Sequence, residues 1–259
     1  MNQKKPTLSA VIIARNEEPR IGSSIDALNF TDEILVIDNN STDKTAEVSR
    51  RHGARIISLS NMDFAQLRNI GAKEAVSDWI LYIDADETVT PELASSIRKT
   101  IGNPEPSHPG YEIYRRNFYL GTRWPSGEWM LRLIRKDSLK GWYGSLHETA
   151  TVHGTVGKLD GILLHDTHRT LSEMVVKTNE WSEAEARLRY SVHHPAITWW
   201  RIMRVILTGF WHSFIVQGGW RAGTVGWIES IYQGFSMFIT YAKLWELQTS
   251  ERLSTKIKK

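Results

Sequence analysis

Trp79-Ile80-Leu81-Tyr82-Ile83-Asp84-Ala85-Asp86-Glu87 is the stretch on which the fold of this chain turns. Five apolar or aromatic residues in a row describe a strand buried on both faces, and that strand runs straight into acids. An ionised carboxylate left unpaired in a core costs several kcal/mol or more. The acids therefore belong at the rim of an open α/β sheet, where ligands bind beyond the carboxyl ends of the strands. Two Asp separated by one residue offer hard oxygen ligands to Mg²⁺ or Mn²⁺, and such a cation can hold a diphosphate. The plainer reading is an acidic loop capping a helix that starts near Thr90-Pro91, and Asp-X-Asp alone does not choose between the two.

Upstream, residues 8–14 form a first buried strand, followed by the polar turn Arg15-Asn16-Glu17-Glu18. Ile21, Ile25 and Leu28 then recur at helical spacing. Residues 33–38 make a second strand that ends in Asp38, and Ser41 or Thr42 offers an N-cap for a helix running to Arg51, with Gly53 at its C′ position. A third strand over 55–59 and a helix over 63–76 lead into the acidic strand. Strand and helix alternate at the spacing of right-handed parallel crossovers. No Gly-X-Gly-X-X-Gly follows the first strand and no Gly-Lys-Ser/Thr loop occurs, which argues against a dinucleotide fold and a phosphate-loop NTPase.

Downstream, a helix over 90–100 is followed by the Pro- and Gly-rich stretch 103–110. Strands are expected over 111–119 and 130–136, with a Gly/Pro-containing loop between them. The compact segment Gly141-Trp142-Tyr143-Gly144-Ser145-Leu146-His147-Glu148 carries an imidazole beside a carboxylate. A short strand over 161–165 and a helix over 171–190 follow.

The chain of 259 residues has no cysteine, so disulfides, thiolate metal sites and a Cys nucleophile are excluded. A net charge of +3 suits anionic ligands or an anionic membrane face better than it argues for nucleic acid. The polar start, Met1 to Pro6, does not read as a signal peptide. Of 11 tryptophans, six fall at or after position 199. Two apolar stretches lie in that region. The first has 16 uncharged residues between Arg204 and Arg221, fewer than the roughly 20 needed to span a bilayer, and it is interrupted by Gly209, Gly218 and Gly219. In the second, Glu229, Gln233, Ser236, Thr240 and Lys243 recur opposite Trp227, Ile231, Phe235 and Phe238. Both read as amphipathic helices that either pack on the rest of the chain or lie at a membrane interface. The tryptophans and the basic tail (Arg252, Lys256, Lys258, Lys259) favour the interface.

Several spaced motifs together resemble glycosyltransferase family 2, whose members have the GT-A fold and use nucleotide-diphospho-sugars. The matching pieces are Val11-Ile12-Ile13-Ala14-Arg15-Asn16-Glu17, residues 36–45 from Val36-Ile37-Asp38 to Lys44-Thr45, Phe64-Ala65-Gln66-Leu67-Arg68-Asn69 and Asp84-Ala85-Asp86. The resemblance covers roughly residues 7–165. Within the family the chain is most similar to lipopolysaccharide-core β-glucosyltransferases, through Trp142-Tyr143-Gly144-Ser145-Leu146-His147-Glu148 and an aromatic, Gly-punctuated C-terminus.

The resemblance implies an α/β, GT-A-like nucleotide-sugar-binding sandwich with a mostly parallel central sheet, plus amphipathic C-terminal helices. A catalytic domain would cover 1–168, with a nucleotide half (1–102) and an acceptor half (103–168), and a helical region 169–259. Ala14, Asn16 and Glu17 would meet the nucleoside and Asp38 the uracil or ribose. Arg68, with Asn69, would face the diphosphate or order the base pocket. Asp84 would hold the ribose or a metal-bound water, and Asp86 would hold Mg²⁺ or Mn²⁺, with His165 completing the metal shell; His168 has the same chemistry. Arg132, the one of Arg132 and Leu133 expected to point inward, would reach the diphosphate or an anionic acceptor. Glu148 would be the general base, with His147 as its neighbour and Glu87 as the rival.

The implied activity is metal-dependent, inverting transfer of a sugar, glucose from UDP-glucose, onto a lipid-linked saccharide such as lipopolysaccharide inner core. The enzyme would sit in the cytoplasm, peripheral to the inner face of the cell membrane. Two alternatives stand beside it: transfer to a polyisoprenyl phosphate, which needs no strong base, and a non-catalytic nucleotide-sugar-binding scaffold.

Overall fold

The computed structural model describes residues 5–60, 62–144 and 148–257, with 251–257 as backbone only. His147, Lys258 and Lys259 lie outside the described residues, as do the side chains of Arg252 and Lys256. The chain divides into two compact units, 1–116 with 127–165 and 117–126 with 166–259. The hairpin tip 117–126 groups with the helical unit.

The first unit is built on a sheet ordered β3-β2-β1-β4-β7-β6-β10-β5. Here β1 is Leu8–Ala14, β2 Glu33–Asn39, β3 Arg55–Leu59, β4 Trp79–Asp84, β5 Glu87–Val89, β6 Gly110–Tyr119, β7 Thr122–Arg135 and β10 Val156–Thr167. A separate hairpin pairs β8 (Leu139–Tyr143) with β9 (Thr149–Val152). The first four strands pair in parallel, and β7 joins β4 antiparallel, as β10 joins β5. All seven residues of β1 are buried, as a strand covered on both faces requires.

Period-2 alternation sorts the strand side chains into two cores. Ala10, Ile12, Val36, Leu81 and Ile83 pack with Ile21, Ile25 and Leu28 from α1 (Ile21–Asp26) and its following turn, and with Leu93 and Ile97 of α4 (Pro91–Ile101). Val11, Ile13, Leu35, Ile37, Ile80 and Tyr82 pack with Leu67 of α3 (Phe64–Glu74) and with Trp142. The second core underlies the candidate site.

Local chemistry sets the helix starts. Asp63 caps α3 in a reciprocal capping box with Gln66, and Thr90 caps α4 with Pro91 at its first turn. The helix after β2 starts later than its sequence suggests. It is α2, Thr45–Arg51, and neither Ser41 nor Thr42 caps it. Ser41 Oγ instead accepts from the Asn16 N–H at 2.9 Å, the Thr42 N–H donates to Asn16 Oδ1 at 2.8 Å, and the Asp43 carboxylate takes the Thr45 N–H at 3.0 Å. Gly53 closes the helix with φ 87°.

The loop expected between β6 and β7 shrinks to a hairpin at Leu120-Gly121, both with positive φ, so Pro125 and Gly127 lie inside β7. A Cβ at Gly127 would meet the Arg115 carbonyl oxygen at 2.4 Å, which accounts for a glycine in that strand. In the second unit α5 is Leu171–Ser191, α6 Trp199–Trp211 and α7 Gly223–Ile257. A π-type turn over His212–Val216 and a 3₁₀ turn over Gly219–Ala222 lie between the last two.

Candidate functional site

Register builds the site before any side chain does. Ala14 of β1 pairs with Asp38 of β2, and Ile13 pairs with Asp84 of β4, so both acids stand at the carboxyl ends of neighbouring parallel strands. Asp38 is buried, and its Oδ1 has no hydrogen-bond partner among the described residues. Loss of a hydrogen bond at a buried carboxylate is costly, so such an oxygen points to a donor supplied from outside the chain. Asn16, at φ 55°, spends its Oδ1 on Thr42, which ties the turn after β1 to the turn after β2. Glu17 pairs with Arg20 at 3.0 Å, and its N–H donates to Thr45 Oγ1 at 2.7 Å. Both residues shape the rim beside Ala14.

Arg68 is the hub. It lies on the buried face of α3, 3 % exposed, so it is no surface ion pair. Its Nη2 donates to Asp84 Oδ1 at 2.9 Å and its Nε to Glu148 Oε1 at 3.0 Å. The guanidinium carbon lies 4.8 Å from the Trp142 ring centroid and 5.8 Å from that of Tyr82. Asn69, the next residue on the helix, clips β8 in place. It donates to the Trp142 carbonyl at 2.9 Å and accepts from the Trp142 N–H at 2.8 Å, and so positions the aromatic wall. Arg68 Nη1 is buried without a hydrogen-bond partner among the described residues.

Beneath Asp84 sits a second cation. Arg132 Nη2 donates to Asp84 Oδ2 at 2.7 Å and to Glu87 Oε1 at 2.8 Å. Arg132 points towards the site, is buried, and spends its Nη2 on two carboxylates. Leu133 is buried as well, in the opposite core, because both faces of the sheet are covered. Burial by itself would raise the pKa of Asp84; Arg132 and then Arg68 outweigh it and hold the carboxyl far below the usual range. Burial likewise works against the charge of Arg132, but Asp84 and Glu87 raise its pKa further still.

Glu87 is 0 % exposed and saturated. It accepts from Arg132, from Arg115 Nη1 at 3.1 Å and from the Asp84 N–H at 2.9 Å. It therefore holds Asp84, with both carboxylate oxygens already accepting hydrogen bonds. Arg115 was not singled out from the sequence. The signal was the period-2 run Tyr111, Ile113, Arg115, which continues the buried face of β6 into the cluster.

Asp86 and His165 come together through the β10–β5 pairing, which sets His165 opposite Glu87. His165 Nε2 lies 3.4 Å from Asp86 Oδ1. The turn between them is fixed from below, where Ser24 Oγ donates to the Ala85 carbonyl at 2.7 Å. A carboxylate and an imidazole at this separation fit a divalent cation such as Mn²⁺. Among the described residues no cluster of three His, Cys, Asp or Glu forms a closed metal site, so further ligands would come from diphosphate oxygens and water. His168 is not part of this group. It pairs with Glu229 of α7 at 3.0 Å and stacks on Tyr119.

An α/β sheet whose carboxyl edge gathers orphaned and cation-held carboxylates has its binding site at that edge, and the family match makes the chain a transferase. The sequence model described as "Glycosyl transferase family 2" matches residues 9–156, more than half of the chain, and the chain belongs to that family. It is 28 % identical to an uncharacterised glycosyltransferase of Rickettsia typhi, over 95 % of this chain and 89 % of that one. It is also 28 % identical to the lipopolysaccharide core biosynthesis glycosyltransferase LpsC of Rhizobium meliloti, over 93 % of each. A crystal structure of glucosyl-3-phosphoglycerate synthase from Mycobacterium tuberculosis with Mn²⁺ and UDP is similar over 51 % of this chain and 57 % of that one, at 22 % identity and a TM-score of 0.36.

Proposed function

We propose that this glycosyltransferase moves glucose from UDP-glucose onto a lipid-linked saccharide of the lipopolysaccharide inner-core type, with inversion at the anomeric carbon. It would work at the inner face of the cell membrane. One observation carries the reading: a single buried guanidinium, Arg68, joins Asp84 on the nucleotide side to Glu148 at the edge of the 141–148 segment. The lipopolysaccharide-core relative supports a saccharide acceptor.

In this reading the uracil or ribose satisfies Asp38 Oδ1, and Ala14 with the stapled Asn16–Glu17 turn forms the wall beside it. Asp84, kept ionised by Arg132 and Arg68, accepts a hydrogen bond from the ribose or a bound water. Asp86 and His165 would hold a divalent cation, which supplies neutralisation of the charge on the departing diphosphate. Glu148 takes the proton of the acceptor hydroxyl as the new C–O bond forms and the bond to UDP breaks. Both contacts from Arg68 fall on Glu148 Oε1, which leaves Oε2 to meet the hydroxyl.

The test is thermal stabilisation by a panel of UDP- and GDP-sugars with and without Mn²⁺, followed by transfer assays on truncated lipopolysaccharide. UDP-glucose should raise the melting temperature most, because ligand binding shifts stability by mass action. Stabilisation by a GDP-sugar alone, or transfer only to a polyisoprenyl phosphate, would replace this reading.

A further inference from the structure

Helices α6 and α7 share an apolar core with α5 around Ala186, Val205, Tyr241 and Leu244, yet they also carry large apolar residues outward and polar ones inward. On α7, Glu229 is 0 % exposed and Ser230 and Thr240 are buried, while Trp227, Ile231, Phe235, Phe238 and Trp245 face outward. Ile231 is 60 % exposed. On α6, Trp199 (78 %), Met203, Leu207 and Trp211 are exposed along one side. Water-soluble helices bury the apolar stripe and expose the polar one.

The polar interior is satisfied. Glu229 receives His168 and, at 2.7 Å, Gln233 Nε2, and Ser213 Oγ lies 3.0 Å from Ser230 Oγ. The helices close on each other through small residues. A Cβ at Gly209 would lie 3.1 Å from the Gln233 carbonyl oxygen, and one at Gly234 would lie 3.1 Å from that of Ile206. Close approach through glycines is how helices pack where the surroundings are as apolar as the side chains. The rings of Phe214 and Trp227, 4.4 Å apart, join the two outward stripes.

Charge says what covers this face. Arg201 and Arg204 lie 5.3 and 5.6 Å from the Trp200 ring and Arg221 5.8 Å from that of Trp220. None of the three arginines forms an ion pair among the described residues. Unpaired cations against tryptophans at the border of an apolar strip match a headgroup layer, with phosphates for the guanidiniums and acyl chains for the strip. From Trp227 to Trp245 the strip is roughly 27 Å long at 1.5 Å per residue, so it can lie flat in an interface. No described helix is long and apolar enough to cross a membrane.

We infer that the outer face of α6 and α7 is a bilayer-docking surface. The helices lie in the plane of the membrane with their aromatic strip among the acyl chains, and Arg201, Arg204 and Arg221 bind the phosphates of anionic lipids. This deepens the reading of a membrane-resident acceptor, but its test needs no sugar transfer.

Flotation of the full chain with vesicles of phosphatidylcholine, alone or mixed with phosphatidylglycerol, is the experiment. The wild type should float with the mixed vesicles, less with phosphatidylcholine alone, and less again as salt rises. Leu207→Glu with Ile231→Glu should abolish flotation with both vesicle types, at unchanged circular dichroism. Trp199→Ser, at the most exposed of these positions, should weaken it without any risk to the fold. Arg201→Gln with Arg204→Gln should lower affinity for the mixed vesicles by roughly fivefold per arginine and leave phosphatidylcholine binding unchanged. A wild-type chain that stays at the bottom of the gradient overturns the inference. So does a homodimer in sedimentation that Leu207→Glu splits, because the face would then be a contact between copies. UDP-glucose thermal stabilisation, measured on the same preparations, separates failure of docking from failure of the donor reading.

Discussion

Arg68 and Glu148 stand 80 positions apart in the sequence and are joined at 3.0 Å, Nε to Oε1, while Nη2 of the same guanidinium holds Asp84 at 2.9 Å. The carboxylate assigned to the acceptor and the one assigned to the donor therefore share a cation. Displacing either shifts the field felt by the other. The fork geometry of a guanidinium allows this sharing, and a lysine ammonium cannot reproduce it.

Arg68→Lys should therefore keep the charge and lose the bridge. Charge-assisted hydrogen bonds contribute about 1.5–3 kcal/mol each, so kcat/KM should fall roughly 10- to 100-fold. Steady-state kinetics with UDP-glucose checks this. Wild-type kcat/KM in a folded Arg68→Lys protein would confine Arg68 to a structural role.

Glu87→Gln separates holding from catalysis. Glu87 accepts from Arg132, Arg115 and the Asp84 N–H with no exposed face. Removing its charge takes one of two counter-charges from the buried Arg132 and one from the half-buried Arg115, at a cost of about 3 kcal/mol in stability. Urea unfolding should register that loss. A variant of wild-type stability with turnover lowered a thousandfold would instead return Glu87 to the role of base.

The parallel half of the fold was legible because buried strands announce themselves as unbroken apolar runs, and Asp38 and Asp84 end two of them. The antiparallel half was less so. Pro125 and Gly127 read as loop because both residues are depleted in strands, yet β7 runs through them, with Gly127 required by the Arg115 carbonyl. Ser41 and Thr42 looked like caps because short hydroxyl residues before a helix usually are. A partner 25 residues upstream, Asn16, claimed them instead, and no local pattern carries that. The grouping of Asp86 with His165 came only through the family resemblance, because it depends on β10 lying antiparallel to β5, a long-range register that a single sequence does not encode visibly. On α7 the two stripes were readable, but which of them faces outward was not.

Asp86→Ala should abolish the Mn²⁺-dependent part of UDP-glucose stabilisation and leave the melting temperature without ligand nearly unchanged, because Asp86 lies in the turn after β4 and outside both cores. Differential scanning fluorimetry across a Mn²⁺ titration measures both. An unaltered Mn²⁺ dependence would remove Asp86 from the metal site.

Acid should loosen the nucleotide half first. Burial pushes Glu33 up, but the Ser9 hydroxyl, the Val76 N–H and Arg55 together bring it below its usual value, and Asp84 is depressed further. A carboxyl depressed in the fold adds stability above its unfolded pKa, near 4.5 for Glu33 and 3.8 for Asp84, and loses it as pH falls through the folded value. Stability should thus be level on the alkaline side of that range and decline below it. Glu33→Gln should cost about 2 kcal/mol at neutral pH, with the gap to wild type closing in acid. A gap that stays constant from neutral pH down to the acid transition would mean that Glu33 acts through packing alone.

Glu148→Gln addresses the chemistry itself. An inverting transfer, as proposed, needs a base on the far side of the sugar from the departing diphosphate, and in that reading the Asp86–His165 pair would lie on the diphosphate side. Glutamine keeps the shape of the side chain, and its amide oxygen can still accept from Arg68 at Oε1, so donor binding should be nearly unchanged. The NH₂ that replaces the second oxygen cannot take up a proton. Turnover should fall by the roughly 10²–10⁴-fold typical of a lost general base, with the KM for UDP-glucose almost constant. Glu148→Asp should recover part of that loss, because the basic group is present but about one methylene short. Equal loss in both variants, together with weakened UDP-glucose binding, would mean that Glu148 serves to hold Arg68 and that the proton leaves by another route.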